Sequence, residues 1–505
     1  MKKSEVLRAA KFGSRVAEEE TAELAGYFVR TDLYANAANG KIDVIYGAKG
    51  SGKSAIYFSL LVQEKGRLFK RGILVKSGET QRGAPAFRDL TRDPPKTEIE
   101  FLALWKLYCL SLVGSALRDN AIGGKKAQTL LKYLDDNDLL PAQATLSSLI
   151  HRAHDYIRSL LRIKSLEAGV KLDQHTGLPS GVSASITLGE PTAKERKLNR
   201  QSLESLCGIA NAALAEGGFT LWILLDRLDV AFADNIEVEE RALRALFRTY
   251  LDLIAYENVR LKIFLRTDIW DRITQSGFRE SSHITRTATI RWTEPLLLNL
   301  LIRRLIKNDE IQQYYGVSEK EILSSYEAQV AFFYRVFPKT VDSKGQKTFD
   351  WMLNQTRDGL GLAAPRELIH LLTSLQEVQL KRFEVGAEEP GECLFDRVSF
   401  IEAMVEVSRA RVEQTIYGEY PSIKPWIEAM KGGKSEQSVI SLAELWQIKD
   451  EEALERALRL EEIGILETFG PKRAQRFKVP PLYQVYLQLA NVNQRPRKNV
   501  RRKVQ

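Results

Sequence analysis

The chain has 505 residues and a formal net charge of +9, with 44% hydrophobic and 28% charged residues. Glycine and proline together stay under a tenth of the chain, which excludes a collagen-like or mainly disordered protein and leaves room for about two to four domains. Three scattered cysteines, Cys109, Cys207 and Cys393, form no CxxC pair, which argues against a zinc ribbon or a disulfide framework. His151 and His154 share a helix face by spacing and read as solvated. The start, MKKSEVLRAAKFGSR, has no apolar stretch of the signal-peptide kind. The longest apolar runs, such as Leu221–Leu225, fall far short of the roughly 20 residues of a membrane span. A soluble cytoplasmic protein with no membrane association is therefore expected.

Residues 1–40 read as helical. Residues 41–76 read as strand, glycine loop, helix and strand: KIDVIYGAKGSGKSAIYFSLL, then GILVKS. Residues 77–97 are polar and proline-containing, as a loop would be. Residues 98–163 carry a wide apolar stripe of helical period through Leu102, Leu104, Trp105, Leu107 and Leu110. Residues 165–195, with GVSASITLGE, look like a hairpin or a loose insertion. A helix is expected over 199–216, followed by the buried strand FTLWILLD. A charged helix over 234–256 and the strand VRLKIFLR come next, then a short helix and the strand TATIRW. Strands separated by helical segments predict parallel βαβ units. The pattern is purely helical from 294 to about 420, then becomes two helices and two short strands.

Gly47-Ala48-Lys49-Gly50-Ser51-Gly52-Lys53-Ser54 fits G-x-x-x-x-G-K-[ST] between a buried strand and a helix that continues through Ile56. Such a loop turns its backbone N–H groups toward phosphates. The helix start adds partial positive charge. Lys53 would reach the β- and γ-phosphates, and Ser54 would hold Mg²⁺. The run Leu221–Leu225 ends in Asp226-Arg227-Leu228-Asp229. Asp226 is the expected metal-side carboxylate, and Asp229 the candidate for polarising the attacking water.

Three further positions follow. The strand Leu261–Leu265 ends in Arg266-Thr267-Asp268, where Thr267 or Arg266 would face the γ-phosphate. Arg286, with Arg279 second, stands where an arginine finger toward a neighbouring subunit would sit. Pro365-Arg366 opens a helix, and Arg366 would reach the γ-phosphate from a lid.

With GAKGSGKS, LWILLDRLD, FLRTD and APRELIHLL in this order, the sequence resembles the AAA+/STAND group of P-loop ATPases, and within it the Orc/Cdc6-like ATPases of bacterial antiviral islands. The segment Phe12-Gly-Ser-Arg15 is similar to the box that lines the adenine pocket in that group. One departure is Arg227, where many AAA+ ATPases carry Glu, so slow hydrolysis or use of Asp229 is expected.

The resemblance implies an α/β P-loop αβα core over 1–293, with a helical insertion at about 98–216. It also implies a helical lid over 294–420, a winged helix over 421–490 and a basic disordered tail over 491–505. It implies ATP and Mg²⁺ as cofactors. It further implies a nucleotide-driven switch in antiviral defence, working by self-association or with a separate effector protein.

The last 15 residues hold six positive charges and no acid, leaving a net +3 on the rest. The tail either touches nucleic acid or only solubilises. Lys472, Arg473, Arg476 and Lys478 make the wing basic, whereas the helix DEEALERALRLEE is acidic and would repel phosphates. Both intramolecular or protein contact and DNA contact therefore stay open, and a DNA-gripping loader is the alternative function.

Overall fold

A computed structural model describes residues 1–14, 20, 24–78, 95, 97–140, 151–157, 202–228, 236–341, 345–386, 391–471 and 475–489. The chain divides into two compact units, Arg30–Arg291 and Met1–Val29 with Trp292–Gln505. The expected hairpin over 165–195 and the basic tail lie outside the described residues.

The first unit holds β1 (Val44–Gly47), β2 (Ile73–Gly78), β3 (Thr220–Leu225), β4 (Val259–Arg266) and β5 (Thr287–Thr289). All pair in parallel, in the order β2-β3-β4-β1-β5. Consecutive residues of β1, and nearly all of β3 and β4, are buried, so both faces of the sheet are covered. Its helices include α1 (Lys53–Phe58), α2 (Glu98–Asp119), α3 (Lys125–Asp136), α4 (Leu203–Glu216), α5 (Ile236–Leu253) and α6 (Thr267–Gln275). The fourth starts at Leu203, where the Ser202 side chain accepts from the Ser205 N–H and caps it.

Helix α2 departs from expectation. By length and composition alone it could cross a bilayer. No single run of its residues shows this, because Lys106 and Ser111 interrupt the apolar letters. Both are buried: Ser111 donates to the Leu107 carbonyl, and Lys106 pairs with Glu204 at 2.9 Å and Asp252 at 2.7 Å. The helix is packed into the unit's core, and the Trp105 indole donates to the Ala242 carbonyl of α5 at 2.8 Å. The segment read as a helical insertion thus packs into the core of the unit. His154 also departs from the solvated reading: it is buried, and burial lowers its pKa.

The second unit carries α7 (Glu294–Ile306), α8 (Pro365–Glu384) and α9 (Arg397–Ala410) among its helices. Further on, α10 (Val439–Trp446) and α11 (Asp450–Glu462) accompany a small antiparallel sheet of β6 (Glu436–Ser438), β8 (Arg476–Lys478) and β7 (Glu467–Phe469), in that spatial order. Residues 1–29 group with this unit rather than with the phosphate-loop core assigned from sequence. Val6, Leu7 and Phe12 lie in its apolar core, and the Gln376 amide donates to the carbonyls of Leu7 and Ala10 at 2.5 and 2.7 Å.

A buried charge cluster closes the N-terminal edge of the parallel sheet. The Asp43 carboxylate accepts from Lys262 Nζ at 2.7 Å and from Tyr250 at 3.4 Å, and pairs with Arg286 Nε at 2.6 Å. Lys262 also lies over the Trp222 ring at 4.3 Å. Burial pushes the Lys262 amine down to about 8, although Asp43 opposes the shift. Removing the acid strands two cations, so Asp43→Ala is expected to cost about 3–5 kcal/mol in denaturant-unfolding measurements. The depressed amine also sets a pH signature. Between about pH 8 and 10.5 the unfolded chain holds a proton at Lys262 that the folded chain has released, so stability rises with pH there. Denaturation at a series of pH values should show this rise in the wild type and its loss in Lys262→Met.

Candidate active site

The loop after β1 is where the sheet's topology changes direction. The chain leaves β1 toward β2 on one side, and leaves β4 toward β5 on the other. In open parallel sheets, ligands bind at the carboxyl ends of two such neighbouring strands. Here those ends are Gly47 and Arg266, whose Cα atoms are direct register partners.

Between Gly47 and Lys53 the backbone folds into a cradle. Gly50 and Gly52 have φ of +78° and +97°, values that side chains disfavour. The Lys53 ammonium lies back across the loop, donating to the Gly47 carbonyl at 2.8 Å and the Ala48 carbonyl at 3.1 Å. Ser51 and Ile56 are buried, while Lys49, Gly50 and Ser54 are half-buried.

Asp226 follows β3 directly and is buried. Ser54 Oγ donates to Asp226 Oδ2 at 2.8 Å. A hydroxyl and a carboxylate oxygen so placed, beside an anion-binding loop, suit a hard divalent cation with phosphate ligands. The residues therefore fit Mg²⁺–nucleotide. Arg227, the next residue, turns the chain through the left-handed region at φ +56°, a conformation that bulky residues seldom adopt. Asp229 lies outside the described residues.

Arg266 ends β4 and stands immediately before α6, so Thr267 is the first helical residue. The Arg266 side chain grips Asp268 in a fork, Nε to Oδ1 at 3.0 Å and Nη2 to Oδ2 at 2.7 Å. Burial would raise the Asp268 carboxyl, but Arg266 outweighs it, helped by Lys53, and holds it below the usual carboxylate range. Asp268 thus belongs with Arg266 at the carboxyl end of β4. Sequence reasoning passed over it as a residue of the strand exit, and its only signal is its position two residues after Arg266.

Of the remaining candidates, Arg286 and Arg279 belong to the same unit as this group, and Phe12 and Arg366 to the other. Arg286 sits at the opposite, N-terminal edge of the sheet, paired with Asp43 and donating to the Gly40 carbonyl. A role toward another subunit would require leaving both. Arg279 is exposed at the start of a short 3₁₀ turn. Phe12, with its side chain buried, belongs to the second unit; its carbonyl accepts from Arg304 at 2.6 Å, and Arg304 also pairs with Glu20 at 2.7 Å. Arg15 lies outside the described residues. Arg366, also in the second unit, is half-buried in the first turn of α8, next to Glu367, which accepts from buried Arg411 at 2.8 Å.

No protein-family model matches the chain, and no curated protein matches it. Among solved structures, the Aeropyrum pernix Orc1 protein in complex with DNA aligns with 96% of this chain and 96% of its own, at 13% identity and a TM-score of 0.35. Similarity at that score carries no weight for fold or function, which rest on the chain's own sheet order and site geometry.

Proposed function

We propose that this protein binds and slowly hydrolyses ATP as a molecular switch of the AAA+/STAND kind. The observation that carries the reading is the 2.8 Å contact of Ser54 with Asp226, made at the mouth of the glycine loop by residues far apart in sequence. Incidental glycine turns have no reason to meet a buried carboxylate from another strand. In this reading Gly47–Gly52 present backbone N–H groups to the phosphates, and Lys53 leaves the Gly47 and Ala48 carbonyls to neutralise them. Ser54 and Asp226 would hold Mg²⁺, which when bound supplies charge neutralisation across the phosphates. Asp229 is proposed to orient the attacking water, with Thr267 at the γ-phosphate edge. Arg227 in place of the usual Glu supports slow turnover.

Phe12, Arg15, Arg286 and Arg366 keep the contacting roles that the resemblance gives them, as do the lid and winged helix. The helix pair α10–α11 with its three-stranded sheet supports a winged-helix reading of the C-terminal elements. The role in antiviral defence, with a separate effector or by self-association, likewise follows from the resemblance. A second reading, a DNA-gripping loader, is favoured by Arg476, which is exposed on β8. Against it, Arg476 is already engaged by Glu436 at 3.3 Å and packs over Phe469, while α11 opens with Asp450, Glu451 and Glu452.

Two experiments test these readings. Lys53→Ala should weaken Mg–ATP binding by about 10–100-fold, the size of a lost charge-assisted contact, and Asp229→Asn should lower turnover by about 100-fold with affinity nearly kept. Calorimetry and phosphate release read the two effects, and unchanged values in both variants would remove the ATPase reading. For the loader, duplex-DNA affinity should be tight and fall steeply between about 50 and 200 mM salt. The switch reading expects only weak DNA binding and no stimulation of turnover.

A further inference from the structure

The Arg266–Asp268 fork has the geometry of an arginine holding a phosphate. Two parallel N–H···O bonds join a planar guanidinium to two oxygens of one anion. The fork stands at the carboxyl end of β4, with Arg266 in register with Gly47, the first residue of the glycine loop. Asp268 lies in the first turn of the nine-residue helix α6, a position that favours negative charge. The Asp268 side chain is 44% exposed against 14% for that of Arg266, so the anion is the more displaceable partner. Lys53 also feels this carboxylate and helps to keep it ionised. The arginine at the strand end beside the glycine loop thus already holds an anion in a bidentate grip.

We propose that Asp268 is a built-in stand-in for the γ-phosphate, which occupies Arg266 until ATP displaces it. The inference rests on the ATP-site reading above and deepens it: Asp268 is a positioning residue that sets discrimination between ATP and ADP. ADP ends at the β-phosphate, does not reach Arg266 and leaves the fork closed. ATP competes for the guanidinium, gains one contact and loses another, so its third phosphate adds little affinity in the wild type. The fork opens only with the triphosphate, which makes it a detector of nucleotide state at the start of α6.

Removing the competing charge should therefore tighten triphosphate binding selectively. In titration calorimetry with Mg²⁺, Asp268→Asn is expected to bind β,γ-imido-ATP about tenfold more tightly than wild type, with ADP affinity within about twofold. Asp268→Glu, which keeps the charge, should stay near wild type, and Arg266→Ala, which removes the fork and the phosphate contact together, should show no selective gain for the triphosphate analogue. Thermal unfolding of each variant confirms that it is folded. Equal shifts for both nucleotides, or an unchanged or weaker triphosphate affinity in Asp268→Asn, would overturn the proposal. Lys53→Ala separates this outcome from failure of the underlying site. If that variant binds both nucleotides as wild type does, the ATP site itself is wrong. If it loses both while Asp268→Asn shows no selective gain, only the stand-in is wrong.

Discussion

Everything in the candidate site depends on bringing the ends of β1 and β3 to one edge of a parallel sheet, although they are not neighbours. The strand between them, β4, sets the gap that Ser54 and Asp226 close with a 2.8 Å hydrogen bond. Parallel pairing throughout puts every strand's carboxyl end on the same side. The loop, the buried acid and the Arg266–Asp268 fork therefore gather there, while Asp43, Lys262 and Arg286 gather at the other end. The sheet in effect separates residues that follow a strand from Asp43 and Arg286, which precede one, with Lys262 reaching Asp43 from within β4.

That sorting explains what could be read from the sequence and what could not. Apolar runs bounded by glycine or charge marked the strands, and the spacing of Gly47 to Ser54 marked the loop. Asp226 was legible because it directly ends the apolar run Leu221–Leu225. The order of strands was not legible, since periodicity identifies a strand without naming its neighbours. Arg286 illustrates the loss: its partner Asp43 lies 243 positions earlier, and nothing local links them. Asp268 was hidden for a different reason, because polar residues at a strand exit look alike until one of them is seen gripping another. The first 29 residues were misassigned because their apolar positions fit any helical core, and only packing shows that they join the second unit.

Buried charge recurs through both units and is neutralised nearby: Lys106 by Glu204 and Asp252, Lys262 by Asp43, Arg304 by Glu20, and Arg411 by Glu367. Such pairs contribute little net stability beside an apolar replacement, but losing one partner leaves an ion stranded in a poor solvent. They constrain which segments can meet more than they strengthen the fold. Glu20, for instance, holds the Phe12 region against α7, and Lys106 fixes α2 against α4 and α5.

The place of β1 in the sheet has a consequence for how the protein comes into being. Val44 pairs with Ile263 on one side and Thr287 on the other, and with no earlier strand. During synthesis the glycine loop thus emerges long before either strand that will flank it, and it waits unpaired while some 200 residues are added. Closing such a distant contact is slow, and the β1 segment, rich in Val, Ile and Tyr, stays open to wrong partners meanwhile. A nucleotide that binds only the finished loop would then act at birth as well as in function, drawing the late sheet toward completion by mass action.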